Sequence, residues 1–390
     1  MSSTFCTSAS VEVRRAGHEV QNRTSEDSLN TLDPAVAAER LTTWFADQIP
    51  DATEVRIEGI GRVELGHSAE MLVLTVVTYA PGEERSLDVV VRLRPPEPGL
   101  LEPYDLDRQF RVLRALQDTD VRSPAALWIE PTGEVLGRPF YVMDRVQAAV
   151  YEMEVPDDLG PAQVRRMTEE LADQLATIHL VDLDKTGLRS LGDGETFLDR
   201  ELDRWESDMH RVQRGSLPAL ERLLMELRAR RPEPSPQVTL VHGDAKPGNF
   251  GFEGGEISAV FDWELVDVGD PMADVAYAEV LWSMPVGLTS RTGSLTVDEF
   301  VARYQQRTGF EVHHRTWYRA FQCYKLAVIM LLGSMLVDAG HSDDLRLAGM
   351  GLAVPFMTGL GLAEFGIAEP EDHGPVSPRA ERLAAINPTG

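Results

Sequence analysis

The sequence predicts an α+β chain whose strands gather in the first third and whose remainder is mainly helical. Three observations carry this expectation. Ala52 to Arg94 holds three β-rich runs, Val55-Arg56-Ile57, Met71 to Tyr79 and Leu87 to Leu93, with Pro81-Gly82 as the turn between the last two. Behind Gly160-Pro161, Val164, Met167, Leu171, Leu175 and Ile178 recur at helical spacing and form one apolar face. A single two-residue hairpin signal, Gly254-Gly255, lies in the second half between two acidic positions, Asp244 and Asp262.

In chain order, Met1 to Thr31 lacks the apolar core of a signal peptide and is expected to be a disordered tail. Asp33-Pro34 reads as an N-cap followed by proline at the first helical position, and Ala37, Leu41, Trp44 and Phe45 form the apolar face of that helix. Gly66-His67-Ser68 separates the first two β runs. Its glycine lets backbone N–H groups approach an anion and Ser68 adds a hydroxyl donor, although the same residues also suit a plain hairpin turn. Leu106, Phe110 and Leu113 set a helix over Asp105 to Gln117, and Arg138 to Val146 reads as a buried strand. Phe197 to Arg231 is helical and charge-rich, with Trp205 expected to be exposed or to line a cleft, and Pro232 to Pro236 is the loop that follows. Thr296-x-x-Glu299 is a capping box opening a helix that carries Phe300, Val301 and Tyr304 and stops near Gly309. Tyr324 to Val337 is strongly apolar but contains Lys325 and Gly333 and is too short to span a bilayer. Leu347 to Ala363 is uncharged, yet its four glycines and Pro355 favour packed helices over a membrane segment. The Pro-rich end from Glu369 is expected to be disordered, and no internal repeat is visible.

The stretch richest in chemistry runs from Leu240 to Trp263, LVHGDAKPGNFGFEGGEISAVFDW. A two-residue turn at Gly254-Gly255 would pair Asn249 with Val260 and set Asp262 just beyond, at the open end of the hairpin. Asp244 enters the same end from the preceding loop. Hard oxygen ligands of this kind suit magnesium, which binds substrate phosphates alongside one or two protein ligands. Next to a potential base, they equip a phosphoryl-transfer site.

His242-Gly243-Asp244, Asn249, Asp262-Trp263-Glu264, Gly269-Asp270-Pro271 and Asp274 together resemble the aminoglycoside phosphotransferase family, over about residues 35–365. The loop also echoes the protein-kinase catalytic loop, with Lys246 two residues after the acid. The resemblance implies a bilobal protein-kinase-like fold. A small antiparallel-sheet N-lobe would span residues 32–146 and a larger, mainly helical C-lobe residues 147–367, between tails at 1–31 and 368–390. It implies Asp244 as the base, Lys246 neutralising the transferred group, and Asn249 and Asp262 holding Mg2+. ATP or GTP would be the donor, with Ser68 and Arg92 on its phosphates and main chain near Asp144 and Val146 on its base. Arg92, with Arg94 as fallback, stands where kinases carry lysine, as in a branch reading V-x-R-x-x-P; arginine can grip phosphate through two N–H groups. Gln109 occupies the usual glutamate position, so Asp105 or Asp107 is the alternative partner for that cation. Gln147-Ala148-Ala149 replaces the glycine often found after the hinge. His179 and Asp182 resemble the family's L-H-x-x-D turn, with His179 structural; His242 is expected to orient the loop and Asp274 to anchor its backbone. Glu264 would contact metal or a polar substrate.

A protein kinase is disfavoured: Gly243 replaces the loop arginine, Asp-Trp-Glu replaces Asp-Phe-Gly, and residues 263–268 leave no room for an activation loop before Gly269-Asp270-Pro271. The expected partner is a small-molecule hydroxyl acceptor. An aminoglycoside-like cation would suit the net charge of −26, whereas the Arg92 motif, Phe300 to Tyr304 and Thr308-Gly309 look closer to the branch fused to acyl-CoA dehydrogenases, which implies hydroxyacyl-type acceptors. A nucleotide-binding scaffold without turnover is the alternative of another class. The acidity opposes nucleic acid and anionic membranes, and equally serves solubility. Cys6 and Cys323 give neither a disulfide framework nor a zinc site, as expected of a cytoplasmic protein.

Overall fold

The computed structural model describes residues 33–63, 70–342, 344–368 and 373–374. The expected N-terminal tail, Gly66-His67-Ser68 and, apart from residues 368 and 373–374, the expected C-terminal tail lie outside the described residues. The chain begins with α1 (Pro34–Gln48), where Asp33 Oδ1 accepts the Ala35 N–H at 2.7 Å and Pro34 opens the first turn. Next come β1 (Glu54–Val63), β2 (Glu70–Ala80), β3 (Glu83–Leu93), α2 (Leu106–Leu116), β4 (Ala126–Glu130) and β5 (Phe140–Asp144). The strands form one antiparallel sheet in the order β1-β2-β3-β5-β4. β4 carries too short an apolar run to stand out in the sequence.

Alternation along the strands sorts the two faces of this sheet. Val89, Val91 and Leu93 pack with Leu72, Leu74 and Val76 against Ala37, Leu41 and Phe45 of α1. Val90 and Arg92 therefore point the other way, toward the second part of the molecule. Val90 joins the core that contains Leu113 and Leu116 of α2, so Arg92 faces the cleft.

The remainder contains β6 (Ala149–Val150), α3 (Pro161–His179), α4 (Phe197–Val212), α5 (Pro218–Ala229), β7 (Thr239–Val241), β8 (Phe250–Glu253), β9 (Glu256–Val260), β10 (Asp267–Gly269), α6 (Met272–Trp282), α7 (Val297–Thr308), α8 (Arg315–Asp338) and α9 (Leu345–Glu364). Small ladders β10-β7 and β6-β8-β9 carry the loops of the cleft. α8 is the central post, packed by α4, α5, α6 and α9. By length and composition both α8 and α9 could cross a membrane, but 83% of the apolar window of α8 is buried inside the protein, the packing of a core helix; for α9 the share is 44%.

Two expectations need correcting. Trp205 is fully buried rather than exposed or lining an open cleft. Its indole N–H is satisfied one turn away on α4, by Glu201 Oε2 at 3.1 Å, so the ring can be enclosed at no polar cost. The β8–β9 hairpin pairs Glu253 with Glu256 as its turn demands, but then shifts register, so Phe250 rather than Asn249 faces Val260. Ser258 is the extra residue of this bulge, and Asn249 accepts instead from the Phe261 N–H at 2.8 Å. The shift brings Asp262 one residue closer to Asn249.

α3 ends in a buried polar knot. His179 lies 2.6 Å by Nδ1 from the Tyr304 hydroxyl and 3.2 Å by Nε2 from Asp274 Oδ2. With Nε2–H donating to the acid, Nδ1 accepts from the hydroxyl. Tyr304→Phe strands that nitrogen in the core and is expected to cost about 1–3 kcal/mol, measured by urea unfolding.

Candidate active site

The site begins where β7 runs out of apolar residues. Asp274, in the first turn of α6 and 1% exposed, reaches back to the loop that follows β7. Its Oδ2 accepts the His242 N–H at 2.6 Å and its Oδ1 the Gly243 N–H at 2.9 Å. Burial works against the charge of Asp274, but the hydrogen bond and charge of His179, with those of His242, outweigh it and hold the carboxyl below its ordinary pKa. Its place at a helix N-terminus favours the same ionised state.

Gly243 has φ +82°, and a Cβ there would lie 2.3 Å from the Leu265 carbonyl oxygen. Only glycine meets both demands. His242 is fully buried, with its ring 4.6 Å from that of Trp263. Nε2 donates to the Phe261 carbonyl at 2.8 Å, which leaves Nδ1 to accept the Asp244 N–H at 3.2 Å. The backbone entering Asp244 is thereby fixed before its side chain makes any contact.

That side chain is held from both oxygens. Asn249 Nδ2 donates to Asp244 Oδ2 at 2.7 Å and to the Asp244 carbonyl at 2.7 Å. The Tyr277 hydroxyl, on α6, donates to Oδ1. Burial and then the Asp244 charge push the Tyr277 pKa well up, so the phenol stays a donor. Lys246 Nζ pairs with Glu152 Oε1 at 2.7 Å and stands 4.0 Å from Asp244 Oδ2. Burial opposes the Lys246 charge, but Asp244, Glu152 and Asp262 raise its pKa above the ordinary lysine value.

Asp262 sits at φ +63°, a conformation uncommon for a residue with a side chain. It turns the chain at the end of β9 so that Oδ1 meets Arg92 at 3.0 Å, while Glu264 Oε2 meets the same guanidinium at 3.1 Å. Arg92 is 7% exposed. Its acids thus come from the Asp-Trp-Glu segment, not from α2. Gln109 instead accepts the Tyr141 hydroxyl at 3.4 Å, and Asp105 caps α2 by accepting the Arg108 N–H at 2.9 Å.

The oxygens left over suit a hard cation. Asn249 has committed its nitrogen, and its Oδ1 takes no hydrogen bond among the described residues. Asp262 has committed Oδ1 and keeps 25% of its side chain exposed. An amide oxygen and a carboxylate oxygen at the cleft are a fitting donor set for magnesium with phosphate and water.

A profile described as the phosphotransferase enzyme family matches residues 69–321, nearly two thirds of the sequence and every loop just described. The chain belongs to this family. Among solved structures, a Ralstonia eutropha protein assigned to the aminoglycoside phosphotransferases covers 84% of this chain and 97% of its own, with TM-score 0.67 and 24% identity. A macrolide 2'-phosphotransferase type I aligns over 82% and 97% with TM-score 0.53 and 17% identity. These likenesses establish the bilobal kinase-like fold. Among curated proteins, acyl-CoA dehydrogenase family member 10 of Mus musculus is 30% identical over 255 residues, and family member 11 of Rattus norvegicus is 28% identical over 296. The alignments take in 62% and 70% of this chain but only 24% and 38% of those longer relatives.

Five of the residues expected at the site, Arg92, Asp244, Lys246, Asn249 and Asp262, converge in one cleft. Asp144 and Val146 lie at the end of β5 and just past it. The Asp144 carboxylate accepts the Ala125 N–H, and burial, partly offset by that bond, raises its pKa. The sequence assigns no site role to Tyr277, Lys325 or Glu152. Tyr277 lies three residues past Asp274 and so shares its helix face, a usable signal. Lys325 stood out as a lone cation in an apolar run. Nothing in the sequence points to Glu152. Gly243→Ala is expected to cost at least about 1–3 kcal/mol from backbone strain alone, seen as a lowered melting temperature.

Proposed function

We propose that this phosphotransferase moves the γ-phosphoryl group of ATP, or GTP, to a small-molecule alcohol, with Asp244 as the base. The observation that carries the reading is the Asn249 amide. Its nitrogen grips the Asp244 carboxylate while its oxygen takes no hydrogen bond among the described residues, and its carbonyl accepts from Phe261, the residue before Asp262, so one residue links the base to the proposed metal ligands. Asp244 takes the proton of the attacking hydroxyl as its oxygen bonds to phosphorus and ADP departs. Magnesium, when held by Asn249 Oδ1 and Asp262, neutralises the nucleotide phosphates. Lys246 exchanges Glu152 for the transferred phosphoryl group. Arg92 braces Asp262 and turns to phosphate from the same position. Ser68, outside the described residues, is assigned to the phosphate loop. At the hinge, the Asp144 N–H is committed to Ala125, whereas Val146 N–H and C=O make no hydrogen bond among the described residues, which supports Val146 as the main-chain contact to the base. Asp144 contributes the adjoining backbone.

A hydroxyacyl-type compound is the acceptor that the relatives favour, since the curated ones are named as acyl-CoA dehydrogenase family members. An aminoglycoside-like cation is the second reading, supported by the net charge of −26. The cytoplasm, which supplies ATP, is the proposed compartment.

Asp244→Asn is expected to retain Mg-ATP binding while transfer falls by about 10²–10⁴-fold. Asp262→Ala is expected to weaken Mg-ATP binding itself, read by calorimetry. Unchanged transfer in either variant would refute the assignment. ADP release from Mg-ATP against aminoglycosides, macrolides, choline-like alcohols and hydroxyacyl-CoAs, with Asp244→Asn as control, identifies the acceptor. ATP binding with silence across the panel would favour a nucleotide-binding scaffold.

A further inference from the structure

We propose that Lys325 is a positioning residue for phosphoryl transfer, acting on Asp244 through the Gly243 carbonyl and through Tyr277. The inference rests on the reading of Asp244 as the base.

Lys325 lies on α8 and is 3% exposed. No carboxylate stands within ion-pair distance of its ammonium among the described residues, which sets it apart from Arg92 and Lys246 in the same neighbourhood. Nζ donates to the Gly243 carbonyl and sits 5.3 Å from the ring centre of Trp205 and 5.4 Å from that of Tyr277. Aromatic faces attract a cation at such distances. A buried, unpaired ammonium is costly, and methionine would fill the volume without that cost. Burial accordingly pulls the lysine below its ordinary pKa, against the charges of Glu201 and Asp244.

The contacts of the ammonium show what it holds. The peptide joining Gly243 to Asp244 is gripped at both edges, its carbonyl by Lys325 and its N–H by His242 Nδ1 at 3.2 Å. Gly243, with φ +82° and no side chain, is the residue about which this peptide would otherwise swing. Lys325 also packs on Tyr277, whose hydroxyl holds Asp244 Oδ1. Backbone and carboxylate of Asp244 are therefore both tied to one cation. Trp205, enclosed rather than lining the cleft, forms the other wall of its cage.

The test uses the full chain and follows ADP release from Mg-ATP, with water as acceptor and with the panel alcohol that stimulates it. Lys325→Met is expected to lower kcat by about 10²-fold, the scale of a slight misplacement of a catalytic group, with the KM for Mg-ATP unchanged. A merely structural lysine would lower the melting temperature and leave kcat of the folded fraction intact, which would overturn the proposal. Tyr277→Phe keeps the ring and loses the hydroxyl. It is expected to lower kcat, and the double variant to fall by less than the product of the two single effects. If Lys325→Met fails to fold, a Tyr277→Phe protein with wild-type kcat overturns the proposal on its own. If Asp244→Asn is fully active, the base assignment fails instead, so the two failures are told apart.

Discussion

A buried carboxylate at the start of α6 holds the cleft together. Asp274 accepts two consecutive backbone N–H groups, His242 and Gly243, and a third hydrogen bond from His179. Two successive amides pointing at one acid force a sharp turn, and Gly243 is the residue that can adopt it. Everything downstream inherits that turn: the His242 ring that fixes the Asp244 N–H, the Asn249 amide that grips the Asp244 carboxylate, and the bulged hairpin that delivers Asp262. Removing the acid would orphan two buried amides and a histidine together, a loss no neighbouring side chain could make good.

The second constraint links the two lobes. Arg92 leaves the sheet on the face opposite Val91 and Leu93, and among the described residues the acids it pairs with come from beyond β9. A kinase-like N-lobe usually keeps this cation tied to its own helix. Here the tie crosses the cleft, so lobe position and Asp262 geometry are coupled through one guanidinium. Gln109 is free of that duty and serves the Tyr141 hydroxyl in the N-lobe core.

Most of the fold was legible because its signals are local. Asp33-Pro34, the Thr296–Glu299 capping box and Gly309 at the end of α7 all act within one helical turn, and each is found where the residues suggest. The loop after β7 was legible for a different reason: its spacing is dense enough to carry a family resemblance. What stayed hidden depends on register or long-range packing. The bulge at Ser258 has no glycine to announce it. Trp205 satisfies its indole within its own helix, a choice that composition does not reveal. Lys325 and Glu152 reach the site from elements far from the motif in sequence, and Arg92 finds its acids some 170 residues away.

The pairing of Lys246 with Glu152 and of Arg92 with Asp262 and Glu264 has a consequence for traffic through the cleft. Both cations already hold carboxylates, so an arriving polyanion enters by ion exchange, releasing one oxyanion for each it gains. On the proposed nucleotide reading the net electrostatic reward is then small. Discrimination would then pass from charge to shape, and a strongly acidic protein would take the proposed anionic nucleotide without a strongly positive pocket.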